Sequence, residues 1–143
     1  MHRESIRLSQ VQDIAGCRVV VADVAEQEQV VILLCAVFPG ASVVDRRANP
    51  SYGYRAVHVI AQISGKLIEI QVRTLWQHLW ADLSEIFSDV FDPTIKYGGG
   101  SAPFRELLIT VSTAVAEVEA DEEEIARLEE QHVPEQHQQD VQE

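Results

Sequence analysis

The chain has 143 residues, a size that suits a single domain, and its 46% hydrophobic residues exclude a wholly disordered protein. Its formal net charge of −12 comes mainly from residues 117–143, which contain eleven acidic residues and one basic residue, so the rest of the chain is nearly neutral. That nearly neutral part neither favours nor excludes nucleic-acid binding, and the longest apolar run, Val30–Phe38, is too short for a membrane-spanning helix.

The N-terminal residues Met1–Glu4 are followed by no apolar stretch of the kind that signal peptides contain. The two cysteines form no CxxC motif, so a disulfide scaffold and a structural zinc site are not expected and the cytoplasm is the predicted compartment. The β-branched residues 17–22 then predict a first strand. Apolar residues at helical spacing predict a helix over 24–37, which Pro39-Gly40 ends.

The middle of the chain contains strand signals separated by turn signals. A short strand is predicted at 41–45, a basic loop at 46–53, and two longer strands at 54–62 and 66–73. Ser64-Gly65 is a tight-turn dipeptide, so these two longer strands are predicted to form a hairpin.

A helix is predicted directly after the hairpin. Thr74 and Gln77 have the spacing of a capping box, and Pro93 ends the helix. Its apolar face is predicted to consist of Trp76, Leu79, Trp80, Leu83, Phe87 and Val90. The following glycines, residues 98–100, predict a flexible break.

The last predicted helix, at about 103–130, carries a heptad-like apolar stripe. The stripe consists of Phe104, Leu108, Val111, Val115 and Val118. We expect it to pack on the protein's own sheet; the alternative is a helical partner or a second copy of the chain in a homo-oligomer. The Gln- and Glu-rich residues 132–143 predict a disordered, acidic tail.

The elements follow the order β-α-β-β-β-α-α, which predicts an α+β fold with a layer of helices on a mixed sheet. This reading divides the chain into three parts. They are a domain at 1–97, a glycine hinge with an amphipathic helix at 98–131, and the tail at 132–143.

The predicted hairpin brings functional side chains to one face. Side chains alternate across a strand, so Glu69, Gln71 and Arg73 share a face opposite the apolar residues of the same strand. A two-residue loop places His58 opposite Gln71, which adds Tyr54 and His58 to that face. An ordinary solvated sheet face is one interpretation. The mixture of carboxylate, guanidinium and imidazole also suits metal-assisted handling of phosphates.

A second carboxylate, Asp13, lies just before the first strand. A carboxylate at the entry of a strand can reach a neighbouring strand, and two such groups can hold Mg²⁺, which prefers oxygen ligands. A turn or helix-cap role is the alternative reading of a single aspartate in this position.

Four segments of the sequence together resemble the synthetase domain of RelA/SpoT-type alarmone synthetases, which make (p)ppGpp. They are, in order, Asp13–Arg18, Gly53–His58, Glu69–Thr74 and Trp80-Ala81. The resemblance implies a nucleotidyltransferase-like mixed sheet flanked by helices. It also implies transfer of the β,γ-pyrophosphate of ATP to the 3′-hydroxyl of GDP or GTP, with Mg²⁺, in the stringent response.

The resemblance also implies roles for individual residues. Asp13 would be the magnesium ligand, and Glu69 would assist it or deprotonate the acceptor hydroxyl. Tyr54 would stack on guanine. The remaining implied substrate-binding residues are His58, Gln71 and Arg73 for phosphates and ribose, Arg18 near the donor nucleotide, Arg55 of the same motif as Tyr54, and Arg46 and Arg47 in place of a basic residue that the family often has at the position of Pro50.

The sequence departs from the family upstream of Asp13, where only twelve residues precede the motif and the family has a basic ATP-binding helix. We therefore expect a synthetase domain that is truncated at its N-terminus, without alarmone hydrolysis. The alternatives are a catalytically impaired module that binds nucleotide or a protein partner, and a toxin-like enzyme that modifies tRNA. Outside that last alternative no nucleic-acid partner is expected, and no membrane association is expected.

Overall fold

The computed structural model describes residues 15–132. Its elements are β1 (Gly16–Val21), α1 (Val24–Val37), β2 (Ser42–Asp45), β3 (Val57–Ile63), β4 (Lys66–Thr74), α2 (Leu75–Val90), a 3₁₀ turn (Ile95–Tyr97) and α3 (Ala102–Gln131). Within this part of the chain the strands form one sheet in the order β1-β4-β3-β2. β1 runs parallel to β4, and the other neighbours are antiparallel. The predicted α+β fold, with a mixed sheet and a long C-terminal helix, is confirmed.

Helix α1 connects β1 to β2 and covers one face of the sheet. The Asp23 side chain caps it by accepting a hydrogen bond from the Glu26 backbone N–H at 2.8 Å. The helix packs its apolar residues on a buried sheet cluster of Val59, Ile70 and Val72. Since α1 occupies this face, the functional side chains of the hairpin lie on the opposite face.

The predicted hairpin register is confirmed. His58 lies opposite Gln71 and Val57 opposite Val72. Ser64 and Gly65 both have positive φ, of 50° and 77°, which is the backbone of the two-residue turn that suits a twisted hairpin.

The strand that was predicted to begin at residue 54 begins at Val57. The reason is a tight loop just before it, in which the Ser51 and Tyr54 backbones exchange hydrogen bonds of 3.2 and 2.9 Å. Tyr52 and Gly53, at the tip of this loop, both have positive φ. Tyr54 therefore reaches the site from a turn and not from a strand.

Helix α2 begins with the predicted capping box, since Thr74 and Gln77 each bond the other's backbone. Its buried side differs from the predicted apolar face, because Trp80 is buried whereas Trp76, Leu79 and Val90 are exposed. Polar residues also belong to the buried side: Gln77 bonds neighbouring elements, and Ser88 accepts a hydrogen bond from the Lys96 backbone at 3.0 Å.

Helix α3 packs on α2, and the expectation that it packs on the sheet is corrected. The Trp80 Nε1 donates to the Leu108 carbonyl at 2.7 Å, and the Phe104 ring stacks on Phe91 with centroids 4.7 Å apart. The reason is that Leu108 joins a buried cluster with Trp80 and Ala81 of α2, against which Phe104 and Val111 of the stripe also pack.

Self-association through α3 and the division into three parts stay predictions. Residues 133–143, most of the predicted tail, lie outside the described residues. Among the helices within 15–132, none combines the length and apolar character needed to cross a membrane.

Candidate functional site

The face of the sheet opposite α1 carries a row of polar side chains from three adjacent strands. Arg18 of β1 and His58 of β3 are both register partners of Gln71 in β4. Residues that pair across strands point to the same side, so Arg18 and His58 share a face with Gln71. Glu69 and Arg73, two residues away on β4, lie on that face too.

Tyr54, His58 and Glu69 form a continuous hydrogen-bonded chain. Tyr54 Oη lies 2.9 Å from His58 Nε2, and His58 Nδ1 contacts Glu69 Oε1. A carboxylate only accepts hydrogen bonds, so Nδ1 carries the proton shared with Glu69, and in the neutral ring Nε2 accepts from the Tyr54 hydroxyl. The imidazole is therefore held in one orientation beside the carboxylate.

Arg73 closes the row at the end nearest α2. It is buried, at 5% exposed, and its Nη2 donates to Tyr54 Oη at 3.1 Å and to Gln71 Oε1 at 2.9 Å. Its guanidinium also lies 5.0 Å from the Tyr54 ring centroid, within cation–π range. Its Nε has no hydrogen-bond partner among the described residues.

Arg47 and Arg55, at the two ends of the loop at 47–55, make contacts elsewhere. Arg47 forms a two-pronged ion pair with Asp45, with the closest approach at 2.7 Å, and lies 3.4 Å from Glu28 of α1. Asp45 pairs with Val57 and so belongs to the face that α1 covers. Arg55 donates to the Arg47 carbonyl at 2.6 Å and lies 3.6 Å from Glu119 of α3.

The structure thus brings together five of the ten residues predicted for the site. The five are Tyr54, His58, Glu69, Gln71 and Arg73. Arg18 lies exposed on the same face, without a direct contact to them in the described part of the chain, and Arg46 is half-buried in the loop, its backbone bonded to Ala56. Arg47 and Arg55 are not brought to this row. Asp13 lies outside the described residues.

The Arg47 side chain donates hydrogen bonds to Asp45 and thereby holds the pKa of that carboxyl below its ordinary value of 3.8. A carboxyl whose pKa is lowered by folding stabilises the folded state above that ordinary value, and the contribution disappears as the pH falls through the lowered pKa. We therefore expect Asp45→Asn to be less stable than the wild type at pH 6, by an amount within the ~0.2–1 kcal/mol typical of partly exposed pairs. The difference should shrink below pH 3.8.

Urea unfolding midpoints of both proteins between pH 6 and pH 3 measure this effect. Asp89→Asn, at an exposed carboxyl of α2, is the control. A difference between Asp45→Asn and the wild type that stays constant with pH would contradict the prediction.

A buried polar network that the sequence analysis missed lies behind the site. Glu119 of α3 is 3% exposed and accepts from Thr74 Oγ1 at 2.6 Å and from Gln77 Nε2 at 2.9 Å. Gln27 of α1, fully buried, donates to Gln77 Oε1 and to the Val72 carbonyl, both at 2.8 Å. The sequence pattern that could have revealed this buried acid is its spacing. Glu119 continues the spacing of Leu108, Ser112 and Val115 on the buried side of α3.

A carboxylate such as Glu69 is the kind of oxygen ligand that a hard cation prefers. Within residues 15–132 no three His, Cys, Asp or Glu side chains gather as a metal site, and Glu69 supplies the carboxylate of the polar row. The Glu69 backbone N–H donates to the Ala15 carbonyl at 3.2 Å, so the chain that leads to β1 joins the sheet beside Glu69. Asp13 stands two residues earlier in the sequence. Two carboxylates are the oxygen ligands that Mg²⁺ takes while it keeps several waters.

Comparisons with known proteins identify a family model, related sequences and similar solved structures. Residues 1–86 match the model of a region found in RelA / SpoT proteins. Uncharacterized proteins of Mycobacterium tuberculosis and Mycobacterium bovis are 38% identical over 100 residues, which cover 66% of this chain and 36% of each relative. The chain thus spans about a third of the length of the curated relatives it matches.

Among solved structures, small alarmone synthetase 1 from Bacillus subtilis matches with a TM-score of 0.66 and 28% identity, covering 90% of this chain and 72% of that one. The same synthetase bound to its product pppGpp gives the same TM-score and identity, with 90% and 70% covered. Its complex with AMPCPP matches with a TM-score of 0.57 and 26% identity, with 90% and 69% covered.

Proposed function

We propose that this chain, which belongs to the RelA/SpoT family, is a pyrophosphotransferase that acts on ATP and GDP or GTP to make (p)ppGpp. In this reaction the 3′-oxygen of the acceptor forms a bond to the β-phosphorus of ATP. The bond between that phosphorus and the α,β-bridging oxygen breaks, AMP leaves, and the hydroxyl proton passes to a base. The observation that carries the proposal is the chain of contacts from Arg73 through Tyr54 and His58 to Glu69.

Glu69 is suited to the acceptor end of this reaction. It is partly exposed, whereas its neighbour His58 is more deeply buried and holds one carboxylate oxygen in place. The other oxygen lies 3.4 Å from the Gln71 amide, a long contact that leaves it able to take a new partner. In the proposed reaction Glu69 accepts the proton of the 3′-hydroxyl or assists Asp13 in holding Mg²⁺. The metal, when bound, would neutralise phosphate charge.

Positive and aromatic groups surround this carboxylate at distances set by the strands. Phosphoryl-type transfer depends on charge neutralisation and alignment more than on covalent catalysis. In our proposal Arg73 and the exposed Arg18 supply positive charge to the phosphates, with Gln71 between them. Tyr54, whose ring lies 5.0 Å from the Arg73 guanidinium, stacks on guanine in this proposal.

Incubation of the purified chain with ATP labelled in the β- and γ-phosphates, Mg²⁺ and GDP or GTP tests the proposal. The expected result is label in guanosine tetra- or pentaphosphate and release of AMP, abolished by a chelator of divalent metals. Parallel reactions contain tRNA as the acceptor, or no acceptor. Label in tRNA alone would replace the proposal with the toxin-like activity. Binding of GTP without transfer to any acceptor, in a folded chain, would reduce it to a nucleotide-binding module.

A further inference from the structure

Glu119 of α3 is a buried acid that the proposed reaction does not use. Besides its bonds to Thr74 and Gln77, it faces the guanidinium of Arg55, whose Nη2 lies 3.6 Å from Glu119 Oε2. The Arg55 side chain is itself only 15% exposed. An isolated charge at such a depth would be costly to desolvate, so the two groups are suited to hold each other.

Arg55 in turn fastens the loop that presents Tyr54. Its Nη1 donates to the Arg47 carbonyl at 2.6 Å, which ties the end of the loop back to its beginning. Between these two points the backbone has positive φ at Tyr52 and Gly53, a conformation that a non-glycine residue rarely adopts unless its surroundings impose it. Tyr54 follows immediately and precedes Arg55.

Glu119 also contacts the last residue of β4. Thr74, whose hydroxyl donates to it, directly follows Arg73 in β4. One carboxylate of the C-terminal helix therefore holds the residue after Tyr54 and the residue after Arg73. Tyr54 and Arg73 are themselves joined by a hydrogen bond of 3.1 Å.

We propose that Glu119 is a positioning residue for the site, which acts through Arg55 and Thr74 to fix the loop at 47–55 and the Tyr54–Arg73 contact. Only the effect on substrate binding rests on the function proposed above. The loop geometry is carried by the contacts of the chain itself.

Glu119→Gln is the sharpest variant. The glutamine oxygen can still accept from Thr74, but the amide has no charge to hold Arg55. Glu117→Gln is the matched control, since it makes the same chemical change at an exposed position of the same helix.

Hydrogen exchange followed by mass spectrometry tests the loop without any substrate. We expect Glu119→Gln to raise exchange in residues 46–56 while β1 exchanges as in the wild type, and Glu117→Gln to change neither. Arg55→Lys keeps the positive charge but loses the forked geometry, so it should loosen the same segment. Unchanged exchange at 46–56 in both Glu119→Gln and Arg55→Lys would overturn the proposal.

Kinetics then separate positioning from simple destabilisation. In folded Glu119→Gln we expect the KM for the guanosine nucleotide to rise about fivefold, the effect of losing about one hydrogen bond, with KM for ATP and kcat nearly unchanged. An equal rise in KM for both nucleotides would indicate that Glu119 only stabilises the fold. That result would overturn the positioning role. A wild-type chain that transfers nothing would refute the proposed function, while the exchange experiment would still decide the role of Glu119.

Discussion

Replacement of Glu69 by glutamine is expected to lower pyrophosphate transfer by about 10³-fold, the middle of the range for loss of a general base. The amide can neither accept the proton of the 3′-hydroxyl nor neutralise a metal ion. Its oxygen can still accept from His58 Nδ1, so the imidazole should stay in place. Labelled transfer measured with saturating nucleotides and Mg²⁺ gives the effect on kcat.

Glu85→Gln, at an exposed position of α2, is the control for this change of charge. It should transfer at the wild-type rate and unfold within ~0.5 kcal/mol of the wild type, as surface substitutions usually do. A Glu69→Gln protein that retains more than a tenth of the wild-type kcat would exclude Glu69 as an essential carboxylate of the reaction.

Among the variants proposed, Gly53→Ala is expected to lower the free energy of unfolding most, by about 3 kcal/mol or more. A Cβ at this position would lie 2.8 Å from Trp80 Cζ2 and 3.3 Å from the Leu108 carbonyl oxygen. Trp80 cannot easily move away, because its indole N–H is bonded to that same carbonyl. Overpacking of a core costs ~1–3 kcal/mol, and the left-handed backbone, with φ at +90°, adds ~1–2 kcal/mol for any residue with a Cβ.

Gly40→Ala separates these two contributions. Its φ of +87° imposes the same backbone cost, but a Cβ there would have no atom within 4 Å. We expect urea unfolding to show a loss of ~1–2 kcal/mol for Gly40→Ala and clearly more for Gly53→Ala. Equal losses would mean that the contact with Trp80 is not tight. Because Gly53 precedes Tyr54, the Gly53 variant should also lose binding of guanosine nucleotide before it unfolds.

The hairpin and its functional face were predictable because the relevant physics is local. A two-residue turn fixes the register, and a period of two then decides which side chains share a face. The contact between His58 and Glu69 follows from that register, whereas Tyr54 reaches the row from the turn before β3. The capping box of Thr74 and Gln77 was predictable for the same reason.

Contacts between distant segments were not predictable in this way. Composition assigns Glu119 to an acidic, solvated segment, but the helix turns this one carboxylate inward to residues 42 to 64 positions away. The resemblance implied that Arg47 binds substrate in place of a basic residue at the position of Pro50, yet Arg47 pairs with Asp45 on the face of the sheet that α1 covers. Sequence spacing does not say which of several nearby acids an arginine meets.

The length of α3 gives the Glu119 contacts a mechanical aspect. The helix is held near its start by the Trp80–Leu108 bond, and Glu119 lies eleven residues further on, about 16 Å along the axis. A tilt of about 5° around that fixed point would move the carboxylate by about 1.4 Å. This displacement is enough to break its short bond to Thr74. The angle of α3, as well as its presence, therefore decides whether Glu119 can hold the loop.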